Sequence, residues 1–517
     1  MKACRLTGEC LILAACMLMV ALPLSAQQPC EDLINQKLPN VSIATAVFLD
    51  DPLGFLPPIT PGVFGTPRGL KVSKPFCRVI GSIEPAPNSH IGFEVWLPPP
   101  EAWNDRYLMV GNPAFEGAIK YGSMAGPLAN GYATASTDTG HQAPGHKWAL
   151  GHPEMLVDWA HRSTHETTVV ARHLIEAFYG KPPSYSYFDG CHNGGRQGLA
   201  EAQRYPEDFD GILSADPAFY LTHLQPGSEY LSWVALKNGV ESPSFIPPSK
   251  YSMLNRAVLD ACDELDGVKD DAIEDPTRCH FDPISIQCPG ADRDSCLTPA
   301  QVETARRLYD GAKFADGTQI YSGFEPGSEL LWGAMIEGPE PLFINNDFFK
   351  YLAFEDPEWD WRTFDLEVDT HRTDENLAHI INSTETDLSD FKAAGGKLII
   401  YQSWNETWVP PRTITVYHDD VQETMGGPGE TRDFFRLFVV PDAPMCPGSN
   451  PAVFDIMGAL QRWVEEGTAP DQVTMSYSDR GRVYKTHPVC VYPEVAIYKG
   501  EGDINDASSY TCGTPTW

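Results

Sequence analysis

Basic residues are scarce in this chain, with 37 lysines and arginines against 70 aspartates and glutamates in 517 residues and a formal charge of −33. That balance excludes a nucleic-acid binder, because phosphate recognition needs clustered cations. Acidity spread in this way otherwise serves solubility. Long apolar runs are also missing. The longest, Leu11 to Leu24, is short for a membrane span, and no later stretch approaches the roughly twenty residues a span needs. Neither a CxxC pair nor a Cys/His spacing suited to zinc occurs, which excludes a zinc ribbon. No internal repeat or low-complexity tract is evident.

What is present begins with Lys2 and Arg5, the apolar run, and Ser25-Ala26 before the polar Gln27-Gln28. This is the layout of a signal peptide over residues 1–26, so the mature chain is expected to be exported and free of the membrane. Of 13 cysteines, Cys4, Cys10 and Cys16 leave with the signal. An even set of ten remains, which suits an oxidising compartment and five disulfides. Short intervals make Cys262 with Cys279, Cys288 with Cys296 and Cys490 with Cys512 natural local pairs. Cys30, Cys77, Cys191 and Cys446 are then left. Asn40, Asn382 and Asn405 open glycosylation sequons.

Apolar runs bounded by turn residues recur as Phe93 to Leu97, Tyr107 to Val110, Tyr132 to Ala135, Tyr185 to Phe188 and Ile212 to Ala215. Helical stretches at Ser163 to Tyr179 and Gly195 to Tyr205 fall between them, the alternation a parallel sheet requires. After about Pro217 the chain turns rich in Pro, Trp, acidic residues and Cys, with weak periodicity. Strand patterns resume at Lys397 to Tyr401 and Leu437 to Val440, before a helix over 452–466. The expectation is an α/β domain over 27–216 and 390–517, interrupted by an insertion over 217–389.

The strand Tyr185 to Phe188 runs into Asp189-Gly-Cys-His192-Asn-Gly-Gly195 and then a helix. That is the strand, sharp turn and helix of a nucleophile elbow, with His192 where G-x-S-x-G carries its serine. Seven collinear segments accompany it: Phe76-Cys-Arg-Val, Glu94-Val-Trp-Leu-Pro, Ala135-Ser-Thr-Asp-Thr-Gly-His141, Gly194-Gly-Arg-Gln-Gly-Leu199, Arg204-Tyr-Pro-Glu-Asp-Phe-Asp-Gly211, Gly396-Lys-Leu-Ile-Ile-Tyr401 and Ala469-Pro-Asp-Gln472. Across nearly the whole mature chain the sequence resembles the tannase and feruloyl esterase family. The resemblance implies an α/β-hydrolase fold, a mainly parallel sheet flanked by helices, with the insertion forming a large lid domain.

The family elbow reads Gly-Cys-Ser-x-Gly-Gly, its acid sits in Trp-x-Asp and its base in Gly-His-Cys. Here the corresponding positions hold His192, Glu406 and Met445, so all three members of the triad are replaced. The resemblance also implies a disulfide between Cys191 and Cys446. It further implies an oxyanion hole from the Asn193 N–H and from the loop Gly111 to Gly117, where Pro113 has no N–H and Ala114 is the other candidate donor.

Serine-dependent ester hydrolysis needs a hydroxyl nucleophile and an imidazole to deprotonate it, and neither stands at its position here. His192 is longer than Ser and Glu406 longer than Asp, so together they are expected to meet as an acid–base dyad. The leading expectation is a reprogrammed acid/base catalyst of isomerase, cyclase or lyase type on a phenolic or polyketide-like compound. A non-catalytic protein binding a small aromatic molecule is one alternative, with His192 merely filling the vacated pocket. A weak carboxylic ester hydrolase, with water activated on His192, is the other.

His161, His165 and His173 share one helical stretch, and the i, i+4 pair suggests a metal clamp, although a structural role is favoured. His141 reads as scaffold, and His487 is the remaining histidine expected to approach the site from the tail. Trp332, Phe343, Phe348, Phe349 and Trp359 are candidate pocket residues. Within the insertion, residues 263–272 space carboxylates and carbonyls as a hard cation prefers. The loop is not an EF-hand. It resembles the family's lid calcium site, which implies ligands from the side chains of Asp263, Asp266 and Asp270 and the carbonyls of Val268 and Ala272. Calcium there is expected to be structural, and no organic cofactor is expected.

Overall fold

A computed structural model describes residues 27–60, 65–142, 145–441, 446 and 452–516. The proposed signal peptide and Met445 lie outside the described residues. Nine strands form the central sheet: β1 (Val41–Leu49), β2 (Phe76–Ile83), β3 (Ile91–Leu97), β4 (Arg106–Val110), β5 (Ala133–Thr137), β6 (Tyr185–Cys191), β7 (Gly211–Ala215), β8 (Lys397–Ser403) and β9 (Phe435–Val440). Their order is β1-β2-β3-β5-β4-β6-β7-β8-β9. The pairs β1/β2, β2/β3 and β3/β5 run antiparallel, and every pair from β5 onward runs parallel.

β5 and β7 are buried at every residue because both faces of the sheet are covered there; β7 reads as a largely apolar run, whereas β5, Ala-Thr-Ala-Ser-Thr, buries small hydroxyl side chains. Among the covering helices, α1 (Ser163–Tyr179) packs Val170, Leu174 and Ile175 with Phe93, Met109 and Phe188. On the other face, α6 (Ile456–Glu466) packs Leu460 and Trp463 with Tyr187, Leu213 and Ile399. Between these come α2 (Asn193–Arg204), α3 (Leu221–Leu236), α4 (Leu366–Ile381) and α5 (Pro411–Thr424). The helix expected over 452–466 begins only at Ile456, with Ala452–Val453 forming a short strand instead.

β7 and β8 are sheet neighbours, so the chain between them is an excursion from one strand to the next. It is more regular than its weak periodicity suggests. α3 is buried on most sides, so apolar residues recur around the whole cylinder and no stripe stands out in the sequence. Around it Leu231, Leu254, Leu308, Trp332 and Trp361 form a core separate from the two on the sheet. After β9 the chain adds β10 (Gln472–Asp479) and β11 (Arg482–Cys490), an antiparallel pair.

Arg196, on α2, ties these parts together. Its guanidinium is almost fully buried and donates to the carbonyls of Ala160 at 2.7 Å and Ile381 at 3.2 Å, and to Asn193 Oδ1 at 2.7 Å. It also lies over the ring of Trp159. Burial pushes this guanidinium down to about 9, the mark of a cation held by carbonyls without a carboxylate partner.

Five disulfides close the structure: the three local pairs expected from spacing, Cys191 with Cys446, and Cys30 with Cys77. No described helix is long and apolar enough to cross a membrane. Of the sequons, Asn382 is buried, and its side-chain amide is engaged by Thr222, which leaves no room for a glycan.

Candidate active site

The turn between β6 and α2 is built on close backbone approach. A Cβ on Gly111 would stand 2.8 Å from the Gly194 Cα and 3.0 Å from the Gly190 Cα, and one on Gly195 would stand 2.5 Å from the Ala215 carbonyl. Only glycine fits where these backbones touch. His192 sits at the tip with φ 54° and ψ −111°, outside the ordinary regions for a residue bearing a Cβ. Its backbone N–H donates to the Ala215 carbonyl at 3.0 Å, and its carbonyl accepts from Ala218 N–H at 3.1 Å, which fix the turn against the end of β7.

The imidazole meets the carboxylate expected of it. His192 Nε2 lies 3.4 Å from Glu406 Oε2, and both side chains are buried. The contact is longer than the roughly 3.2 Å of a tight catalytic hydrogen bond. The other oxygen of Glu406 accepts the Trp408 N–H at 2.6 Å, which holds the carboxylate on its own loop, and the Trp408 ring stacks over the imidazole. Nδ1 of His192 makes no hydrogen bond with a described residue, and the side chain lines a cavity. With Nε2–H directed at glutamate, the neutral ring keeps its lone pair on Nδ1, and the imidazolium carries a proton there.

A third acid stands beside the pair. Asp216, fully buried just after β7, accepts the N–H of Ser403 at 2.9 Å on one oxygen and that of Cys446 at 3.1 Å on the other. Burial and then the charge of Glu406 push its carboxyl up to about 7, against the opposing pull of His192 and the two N–H donors. Burial alone would lower His192. The hydrogen bond and charge of Glu406, with the charge of Asp216, outweigh burial and raise it. The phenols of Tyr321 and Tyr401, near Glu406 and Asp216, are raised above their ordinary range chiefly by burial and stay neutral. Sequence reading missed Asp216, although an acidic residue right after the strand Gly211–Ala215 was the available signal.

The sign of these shifts carries a prediction. Asp216 and His192 both bind protons more tightly in the folded chain, so their contribution to stability falls as pH rises. For Asp216 the loss spans about pH 4 to 7, and for His192 it begins near its unfolded value of about 6.5. Asp216→Asn replaces one of the two acceptor oxygens with an NH2 group and is expected to lower Tm at pH 5. By pH 8 the deficit should shrink or reverse, because the variant buries no carboxylate. Thermal unfolding of both proteins across that range checks it, and a deficit independent of pH would contradict it.

The cavity holds about 50 Å³ and is bounded by residues of the elbow, of neighbouring loops and of the excursion. Its walls include Phe115, Trp159, Leu221, Met335 and Trp408. None of the aromatic residues singled out in the sequence lines it. Trp332 lies in the core of the excursion, Phe348 and Phe349 pack behind Phe115 and Trp159, Trp359 packs on Phe349, and Phe343 is exposed. An aromatic-rich segment had first to supply its own interior. Asn193 and Ala114 both line the cavity, and Pro113 does not. The Asn193 N–H opens α2, beyond the reach of the helical ladder. Ala114 stands at φ 49° in a tight turn.

The other histidines singled out in the sequence lie elsewhere. His161 Nδ1 meets the Tyr205 hydroxyl at 2.8 Å, His165 Nδ1 meets Asp208 at 2.6 Å, and His173 Nε2 meets Gln36 at 2.9 Å, so the helical trio forms no shared clamp. His141 stacks on Trp148 as scaffold. His487 does not approach the site, because its Nε2 is held by Glu274 at 3.0 Å. Cys191 and Cys446 flank His192 but are bridged to each other, so they offer no thiolate to a metal.

In the acidic loop, Asp263 accepts the N–H groups of Asp270 and Asp271, each at 3.1 Å, and Asp266 accepts that of Val268 at 2.9 Å. Lys485 Nζ lies 2.7 Å from Asp270 Oδ2. Burial, then the charges of Glu274, Asp270 and Asp263, push Asp266 up to about 7. Several carboxylates thus share this loop, with Lys485 on Asp270 and Arg256 on Asp271 as the cations beside them. Asp263, Asp266 and Asp270 do not bring three carboxylate oxygens within 4.8 Å of one another in this arrangement.

A family model described as "Tannase and feruloyl esterase" matches residues 77–513. An uncharacterized esterase of Xanthomonas campestris pv. campestris is 34% identical over 544 residues, covering 94% of this chain and 92% of that protein. A probable feruloyl esterase B of Aspergillus clavatus is 31% identical, over 92% of this chain and 93% of that protein. The crystal structure of an esterase from Aspergillus oryzae superposes with a TM-score of 0.87 at 29% identity, covering 94% of this chain and 99% of the other.

Proposed function

We propose, for a chain that belongs to the tannase and feruloyl esterase family, that its triad positions hold His192, Glu406 and Met445 and that it catalyses proton transfer rather than serine-dependent hydrolysis. The observation that carries this reading is the contact of His192 with Glu406 at 3.4 Å on the wall of an apolar cavity. With no hydroxyl at the elbow there is no acyl-enzyme route. The imidazole instead takes a proton from a bound aromatic or phenolic compound at Nδ1 and returns it elsewhere, a step common to isomerases, cyclases and lyases. Glu406 fixes the tautomer, and Asp216 raises the proton affinity of the group. The N–H groups of Asn193 and Ala114 are placed to receive the negative charge that develops on the substrate's oxygen.

The same two N–H donors favour a second reading, slow ester hydrolysis by water activated on His192. A carbon-acid probe separates the two. Purified protein is given 5-nitrobenzisoxazole, which opens on loss of one proton, and in parallel p-nitrophenyl, feruloyl and galloyl esters. Ring opening above the denatured control without ester turnover supports proton transfer. Ester turnover alone supports hydrolysis, and neither would leave a protein that only binds its ligand.

We further propose that the segment over 217–389 covers the cavity as a lid on the domain of 27–216 and 390–517. In this reading calcium, held by the carboxylates of Asp263, Asp266 and Asp270 and the carbonyls of Val268 and Ala272, braces the lid and takes no part in chemistry. Millimolar calcium is then expected to raise Tm by several degrees over the chelated protein, and Asp266→Asn to remove most of that gain. A Tm indifferent to both calcium and EDTA would refute it. The even disulfide set and the leader-like first 26 residues support export.

A further inference from the structure

A second cluster of ligating side chains lies away from the elbow. His165 shares its helix with His161, but the two imidazoles part: His161 turns to Tyr205, and His165 turns its Nδ1 to Asp208 Oδ2 at 2.6 Å. Glu201, near the C-terminal end of α2, joins them. One nitrogen of His165 and one carboxylate oxygen each of Glu201 and Asp208 all lie within 4.8 Å of one another. The three residues come from α1, α2 and the connection between α2 and β7, so folding alone brings them together. The Tyr205 ring stacks on the His165 imidazole at 3.9 Å and fixes its plane.

Glu201 sets this cluster apart from an ordinary His–Asp pair. It is fully buried, and both its carboxylate oxygens are enclosed without a hydrogen-bond partner among the described residues. Burial, and then the charge of Asp208, hold its carboxyl well above the usual carboxylate range. A buried carboxyl facing a second one is stable as the neutral acid or against a cation. The imidazole beside it decides which cation fits. One nitrogen with two carboxylates suits zinc and its first-row neighbours, whereas calcium and magnesium take oxygen ligands. Zinc places its ligand atoms about 3.4 Å apart in a tetrahedron, so the three donors need shift by only roughly 1 Å to reach it.

The cluster is also accessible. His165 and Asp208 line a cleft of about 510 Å³ together with Tyr205, Glu207 and Asp390, and its acidic walls draw cations in. The cleft shares no lining residue with the cavity beside His192, and Glu201 stands about 12 Å of helix rise beyond Asn193.

We propose that His165, Glu201 and Asp208 bind one divalent transition-metal ion of the zinc class, whose remaining positions face water in the cleft. The ion joins α1 to the far end of the helix that opens at the elbow, and its role is separate from the proton transfer proposed for His192.

The test uses Co²⁺ and Zn²⁺ as probes on the untagged protein, with millimolar calcium present to occupy sites built from oxygen alone. Co²⁺ reports its own coordination through visible d–d bands. One equivalent is expected to give saturable bands that Zn²⁺ abolishes and calcium does not, and Zn²⁺ is expected to raise Tm by several degrees. Losing an outer partner of a metal site already costs 10–100-fold, so Glu201→Gln, whose amide can donate to Asp208 as the neutral acid does, should weaken Co²⁺ binding more than about 100-fold. His165→Ala, at a partly exposed position, should do the same, and the two variants guard against one failing to fold. The absence of saturable bands, affinity undiminished in both variants, or displacement of Co²⁺ by millimolar calcium would each overturn the proposal. The first of these would show that Glu201 and Asp208 share a proton instead.

Discussion

A variant carrying His192→Ser, Glu406→Asp and Met445→His together is expected to hydrolyse p-nitrophenyl and hydroxyaryl esters at least about 100-fold faster than the parent chain. The reason lies in what has not changed. The turn at residue 192 is set by backbone approach at Gly111, Gly190, Gly194 and Gly195, and a serine there inherits the same strained tip. The Asn193 and Ala114 positions border the cavity whichever side chain stands at 192. Met445 lies outside the described residues, but Cys446 beside it in sequence is bridged to Cys191 and gives its N–H to Asp216. A histidine at 445 is therefore tethered one residue from the elbow's own disulfide. His192→Ser alone should gain nothing, because a hydroxyl without an imidazole is a poor nucleophile at neutral pH. If the triple variant matches the parent and still folds, the departure from esterase chemistry extends beyond the triad positions.

Much of this was legible in the sequence because the informative elements are extreme. Strands buried on both faces give largely apolar runs, and a glycine-flanked turn between strand and helix has few other uses, so the sheet from β3 onward and the elbow could be placed closely. The edge strand β1 and its neighbour β2 were harder. β1 carries the mixed pattern of a half-exposed edge, and neither is followed by a helix. The His192–Glu406 contact followed from side-chain lengths, since two longer residues span the distance that three shorter ones divide. Asp216 did not, because its importance depends on Ser403 and Cys446 arriving from distant parts of the chain. The cavity walls were misassigned for a related reason. Aromatic content tells where a core is dense, and whether a ring faces that core or a ligand is settled by helix packing. Phe115 and Trp159, isolated aromatics in otherwise ordinary segments, face the cavity in place of the conspicuous clusters.

His192→Asn is expected to lower ring opening of the benzisoxazole probe by about 10² to 10⁴, the range a positioned general base supplies, while leaving Tm within a few degrees. Asparagine keeps a polar side chain toward Glu406, so a simple loss of packing would not account for so large a change. Glu406→Gln should cost less in rate, because the imidazole remains while its tautomer and its raised proton affinity are lost. The pH profile separates catalysis from architecture. Base catalysis needs neutral His192, so the parent's rate should rise with pH through a midpoint above the ordinary histidine value, because Glu406 and Asp216 together favour the imidazolium. Asp216→Asn removes one of those charges without touching the reacting nitrogen, and should move the midpoint to lower pH while the plateau rate changes little. Glu406→Gln should move it in the same direction and lower the plateau as well. A residue that merely filled space beside the elbow would scale the rate at every pH alike, so an unshifted midpoint in Asp216→Asn would show that this carboxyl is structural and that the proton chemistry belongs to His192 and Glu406 alone.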